Sequence, residues 1–170
     1  MPKRLIALLA ILISLTGCIL QSPEPAFSDG DGRLALGPSG GVFFLFSRRD
    51  GNWVKDAETM TLQREGRHYN VSGKAPVMAL TFIPLAGVWH VLQATEQGKP
   101  VAYMLASVKD GSADIYPLGC SDLKRREDLG SAIRHDGDDC FIREDTDAKA
   151  LFLKLVATPG EASARMVKSP

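Results

Sequence analysis

Between Val42 and Tyr116 the chain alternates short β-rich runs with turn signals, and this rhythm restricts its fold more than any other feature. Val42–Arg48 is apolar and aromatic, and Asp50-Gly51 follows it. Thr59–Arg64 alternates, with Met60 and Leu62 on one face and Thr61 and Gln63 on the other. After Glu65-Gly66, Arg67–Ser72 alternates again, with Tyr69 and Val71 inward and His68, Asn70 and Ser72 outward. Val77–Ile83, Val88–Thr95 and Val101–Val108 follow, then a last run near Ala113–Tyr116, with Gln97-Gly98 and Asp110-Gly111 as turns. Period-2 alternation gives each run one face for a core. Asp-Gly suits the positive φ of two-residue hairpins. The connections are too short for parallel crossovers. The expected fold is mainly β (α+β): an up-and-down antiparallel meander forming a barrel or a sandwich.

The C-terminal third changes character. Ser121 is placed to cap a helix over Asp122–Leu129, ended by Gly130. Thr146 or Asp145 caps a second, in which Asp147 complements the helix dipole. Ala148, Leu151, Phe152 and Leu155 then recur at i, i+3, i+4 and i+7, one apolar stripe fit to cover the sheet. Thr158-Pro159-Gly160 stops it, and residues 161–170 read as a frayed tail. Residues 42–160 are thus expected to form a single β-rich domain with a C-terminal helical segment.

Residues 19–41 hold Pro23, Pro25, Pro38 and the pairs Asp29-Gly30, Asp31-Gly32 and Gly40-Gly41, which break regular structure. With Cys18 they read as a flexible tether, with Arg33–Leu36 as a short strand inside it. Ahead of them, Lys3 and Arg4 precede an apolar run from Leu5 to Ile13, the layout of a secretory signal. Even stretched to Leu20, the run is shorter than the roughly 20 residues of a spanning helix.

Where that run ends, Leu15-Thr16-Gly17-Cys18 resembles the lipobox of bacterial lipoproteins. The resemblance covers residues 1–18. It implies a diacylglycerol thioether on Cys18, cleavage after Gly17 that removes residues 1–17, and N-acylation of the new terminus. Two or more acyl chains anchor stably without any other membrane element. In that family Asp after the cysteine marks inner-membrane retention. Ile19 stands there instead, which implies an outer-membrane lipoprotein facing the periplasm.

Without Lys3 and Arg4, eighteen basic side chains meet twenty acidic ones, a net charge of −2. That balance argues against nucleic acid as a partner. With Cys18 taken by lipid, Cys120 and Cys140 remain, and in an oxidising envelope they read as a disulfide. The nineteen residues between them do not make a CxxC, and no histidine cluster joins them, so a metal or redox site is the weaker reading.

Candidate chemistry is sparse. His68, His90 and His135 show none of the spacings HxH, HxxxH or HExxH. Gly37-Pro38-Ser39-Gly40-Gly41 spells GxSxG, but a nucleophile elbow needs a strand before it and a helix after it. Ser121 and Lys124 spell SxxK without companion SDN or KTG motifs. Gly30, Gly32 and Ala35 fit a relaxed dinucleotide fingerprint with no strand leading in. An EF-hand loop starting at Asp29 fails at Arg33 and Gly40, and Asp136-Gly137-Asp138-Asp139 lacks a closing Glu. No catalytic residue, metal or cofactor is expected, and the chain does not read as an enzyme.

Phe44, Phe46, Trp53, Tyr69, Phe82, Trp89 and Tyr103 lie in or beside the strands. They fill the core or, if the sheet closes, line an apolar pocket. Gly51-Asn52-Trp53 resembles the G-x-W of lipocalins, a family that includes bacterial lipoproteins. In that family the motif lies on the first barrel strand, whereas here an aromatic strand precedes it. The leading expectation is a lipid-anchored, non-enzymatic module that binds a protein or cell-wall partner. A lipocalin-like carrier of a small apolar ligand comes second, and a hydrolase with an unrecognised site third. The shape of the sheet, closed around a cavity or filled, discriminates between the first two.

Overall fold

A computed structural model describes residues 19–73 and 76–170. The lipobox residues Leu15, Thr16, Gly17 and Cys18 lie outside the described residues. Eight strands form a closed barrel: β2 (Gly40–Arg49), β3 (Asn52–Glu65), β4 (His68–Val71), β5 (Met78–Pro84), β6 (Trp89–Glu96), β7 (Val101–Lys109), β8 (Ser112–Pro117) and β11 (Ala164–Lys168). Every neighbouring pair around the barrel is antiparallel. From β2 to β8 the order is the expected up-and-down meander. Two hairpins turn on Asp-Gly, with Asp50 at φ 49° and Gly51 at 80°, and Asp110 at 52° and Gly111 at 72°. Both central residues have positive φ, the geometry whose twist matches paired strands.

The barrel is closed by the tail. Instead of fraying, residues 164–168 form β11, which pairs with β8 on one side and β2 on the other. Two bare strand edges would otherwise leave N–H and C=O groups unpaired. The residues expected as a tether are also packed. Three of them form β1 (Leu20–Ser22), which pairs antiparallel with the start of β7 and parallel with β10 (Asp139–Ile142). β10 pairs in turn with β9 (Ile133–Asp136) across a turn at Gly137.

From Pro23 the chain crosses the outer face, makes a 3-10 turn at Asp29–Asp31, and plugs one barrel end with Leu36, which is fully buried. Arg33 makes the segment's one bridge to the sheet, to Phe82. Tyr69 holds the plug: its hydroxyl accepts from the Leu36 amide at 3.1 Å and donates to the Gly37 carbonyl at 2.8 Å. The glycines here allow close approach. A side chain on Gly32 would collide with Thr81 and the Arg67 carbonyl, and one on Gly40 with the Leu62 backbone.

Strand alternation separates two cores. Leu45, Met60, Leu62, Leu80, Leu92 and Ile115 point inside the barrel. Val91, Tyr103 and Leu105 point out, under a layer made by β1, the β9–β10 hairpin and two helical segments. The first expected helix is reduced to α1 (Cys120–Lys124), one five-residue turn followed by a 3-10 turn at Glu127–Leu129. Its N-cap is Gly119, not Ser121, and no side chain caps it. The second, α2 (Ala148–Val156), is capped by Asp147, which accepts from the Ala150 amide at 3.0 Å. It buries Leu151, Phe152 and Leu155 on the outer core, each contributing roughly 1.5–3 kcal/mol. Phe152 sits 5.5 Å from Tyr103 and 5.7 Å from Phe27, ring centre to ring centre.

Cys120 and Cys140 form a disulfide with Cα atoms 5.5 Å apart, tying α1 to β10. On the chain-entropy account a loop of this size contributes about 3 kcal/mol. An apolar barrel interior is the inverse of an outer-membrane pore, whose lumen is polar. Among the described residues no helix is long and apolar enough to cross a membrane.

Candidate functional site

The barrel is plugged at one end and hollow at the other. A cavity of about 520 Å³ opens between the β2–β3 and β6–β7 turns and the start of β11. Its wall is made by inward positions of the strands, among them Leu45, Leu80, Leu92 and Ile115. Met60, Met78, Met104 and Met166 also line it. These are all the methionines beyond Met1. The side chains that fill the opposite end do not reach it. Phe43, Leu62, Tyr69 and Phe82 pack against Leu36 there, and Tyr69 and Phe82 meet edge to face at 6.1 Å.

Polar groups collect at the mouth. Asp56 lies where β2 and β3 lose register: Phe44 pairs with Thr59 but Phe46 pairs with Lys55. β3 therefore carries two extra residues, and alternation resumes in phase beyond them. Asp56 is an inward position of this bulge, and its side chain is only 2 % exposed. Ser47 Oγ lies 2.7 Å from both carboxylate oxygens, and Arg49 Nη2 lies 3.3 Å from one of them. Across the mouth Glu96, with a side chain 9 % exposed, pairs with Lys99 at 2.9 Å. Gln21, from the start of the described chain, and Asp139 complete the rim, and Ile19 lines it beside them.

The residues singled out in the sequence lie elsewhere. His90 faces the plugged end, where its ring meets Phe82 at 6.4 Å and its Nδ1 lies 3.1 Å from the Val88 carbonyl. Burial lowers its pKa, with the Val88 contact opposing. His68 is 3.8 Å from the exposed carboxylate of Asp29, outside the plugged end. His135 is on β9, in register with Cys140. Ser121 and Lys124 are exposed on α1, and Ser39 is in the turn leading into β2. None of these lines the cavity. Asp31 caps its own turn by accepting from Ser28, which holds its pKa below the usual carboxylate range. Among the described residues no three His, Cys, Asp or Glu side chains cluster as metal ligands would.

Trp53 of the Gly51-Asn52-Trp53 motif is on the second barrel strand and outside the barrel. The Arg165 guanidinium lies 4.5 Å from its ring centre, itself held by Asp114 through two hydrogen bonds of 2.5 and 2.9 Å. Sequence reasoning missed Asp56, because Asn52–Ala57 shows no alternation and a bulge leaves no local signal. It also missed the methionines as a set, since they become neighbours only when the sheet closes. Comparison with protein-family models, curated proteins and solved structures gives no match, so the function has to be read from this barrel and its cavity.

Proposed function

We propose that this protein is a lipid-anchored, non-enzymatic carrier that holds a small apolar ligand inside its barrel. The observation that carries the reading is the cavity: about 520 Å³, walled by aliphatic and methionine side chains and open at one end. Ligand pockets commonly measure about 300–1,000 Å³ and are mostly apolar with a few placed polar groups. Protein interiors are otherwise close-packed, and an apolar void forfeits the contacts that packing would give. A filled barrel would have favoured the module for a protein or cell-wall partner instead.

The anchor fits this reading. With diacylglycerol on Cys18, the next residue is Ile19, which lines the cavity. The packing of residues 19–22 leaves no tether between lipid and barrel. The mouth would then stand at the bilayer surface, in the outer membrane facing the periplasm, where an apolar ligand is concentrated. Two experiments test the halves separately. Labelled palmitate should enter the wild-type chain and not Cys18→Ala; equal labelling of both refutes the anchor. Native mass spectrometry of residues 19–170, which contain every described strand and both cores, should show an apolar molecule retained from the cell or taken up from a lipid extract. A protein that retains nothing in either case refutes the carrier.

A further inference from the structure

We propose that the ligand is a single-chain amphiphile whose head is cationic or donates hydrogen bonds, and that Asp56 receives that head. This rests on the carrier reading and names the ligand class for the same cavity. Asp56 is the most deeply buried charge at the mouth, and it sits where apolar wall gives way to polar rim. A buried carboxylate is costly unless its oxygens are satisfied. Its two oxygens offer about four acceptor positions, and a serine hydroxyl has one proton to give. Ser47 and Arg49 therefore fix the carboxylate without saturating it. A donor entering from the cavity would complete it.

The charge of the mouth selects the same class. Asp56, Glu96 and Asp139 line it, against Lys99 alone. That ammonium is engaged by Glu96 at 2.9 Å, and the neighbouring Arg49 reaches toward Asp56 itself. A fatty-acid carboxylate would meet like charge with both nearby cations already paired. With Arg49 counted, three carboxylates meet two cations, and an excess of negative charge over low-dielectric walls favours a cationic head over an anionic one. The tail needs no such selection. Four methionines make a deformable, polarisable wall that adapts to chain shape. Selectivity is thus placed in the head and tolerance in the tail.

The test is binding of dodecylamine, dodecanol and laurate to residues 19–170 below their micellar concentrations, by calorimetry and native mass spectrometry. All are straight twelve-carbon chains, and because laurate's tail is one carbon shorter, only a difference well beyond the roughly 0.8 kcal/mol of one buried CH2 counts as head selection. The expected order is amine, then alcohol, then laurate. Asp56→Asn should weaken the amine by about tenfold or more, the worth of one charge-assisted hydrogen bond, and narrow its lead over laurate. Laurate binding as tightly as the amine to the wild type overturns the proposal and leaves the carrier standing, as does an amine-to-laurate ratio unchanged in Asp56→Asn. Binding of none of the three refutes the carrier as well. Should Asp56→Asn not fold, the wild-type order alone decides.

Discussion

Tyr69 and Tyr103 are the two largest side chains with no exposure, and each fastens a different stretch of the N-terminal segment. The Ser22 hydroxyl donates to the Glu24 carbonyl, so the Tyr103 hydroxyl donates to Ser22 at 2.6 Å and accepts from the Ala26 amide at 2.8 Å. Tyr69 does the same for Leu36 and Gly37 inside the barrel. Replacing a buried hydroxyl strands both of its partners. Tyr103→Phe should therefore destabilise the fold by about 1–3 kcal/mol, read as a lower urea midpoint with an unchanged slope. Burial raises the pKa of both phenols, so the stability they contribute is complete below about pH 10 and is lost as pH rises through the raised folded values. His90 sets the opposite limb. Its folded pKa is lowered by burial, so its contribution is complete above about pH 6.5 and is lost as pH falls through the lower folded value. His90→Gln should flatten the loss of stability below pH 6.5, measured as the urea midpoint against pH. A midpoint curve that superimposes on the wild type would refute that assignment.

At the scale of elements, β11 does the most for its length. Five residues satisfy the edges of both β2 and β8 and bring Met166 into the cavity wall. Truncation after Gly160 should open the barrel. The expected outcome is loss of a single cooperative unfolding transition and association through the bared strands, visible by light scattering. A truncated chain that stays monomeric and unfolds cooperatively would show that β2 and β8 can pair without it. β11 was not legible in the sequence because Ala-Arg-Met-Val-Lys offers one buried position, Met166, beside polar and small neighbours. Its place follows from two partners that are distant in the chain. β1 and the plug were hidden for a related reason. Proline and glycine do break regular structure, but an irregular segment packs where its backbone groups find partners, as with Phe27, whose amide and carbonyl both bond the buried Gln93 side chain at 3.2 Å. The α1 region fell short of a helix because only Cys120 and Leu123 find a buried face in it.

For the molecule as a whole, the separation of cavity from plug makes a clean substitution available. Met104 lines the cavity from β7, in register with Leu92 and Pro117, and is no part of the cluster of Asp56, Ser47 and Arg49. Met104→Trp should occupy much of the space a ligand would use. Ligand uptake should fall steeply while the melting temperature holds, because the added ring fills a void and not a packed core. Unchanged uptake in a folded Met104→Trp protein would place the ligand elsewhere. The β meander, its Asp-Gly hairpins, the inward and outward faces of its strands, the stripe of α2, and the pairing of Cys120 with Cys140 once Cys18 is set aside were all legible in the chain. These are set by local backbone sterics, by two-residue alternation and by cysteine parity, all of which act within a few residues or by count. Folding in three dimensions adds that the sheet closes, that residues 164–168 close it, that residues 19–41 plug and cover it, and that one end stays hollow beneath Asp56. Those outcomes depend on which distant backbone edges meet and on how much volume remains between them, which no window of sequence contains.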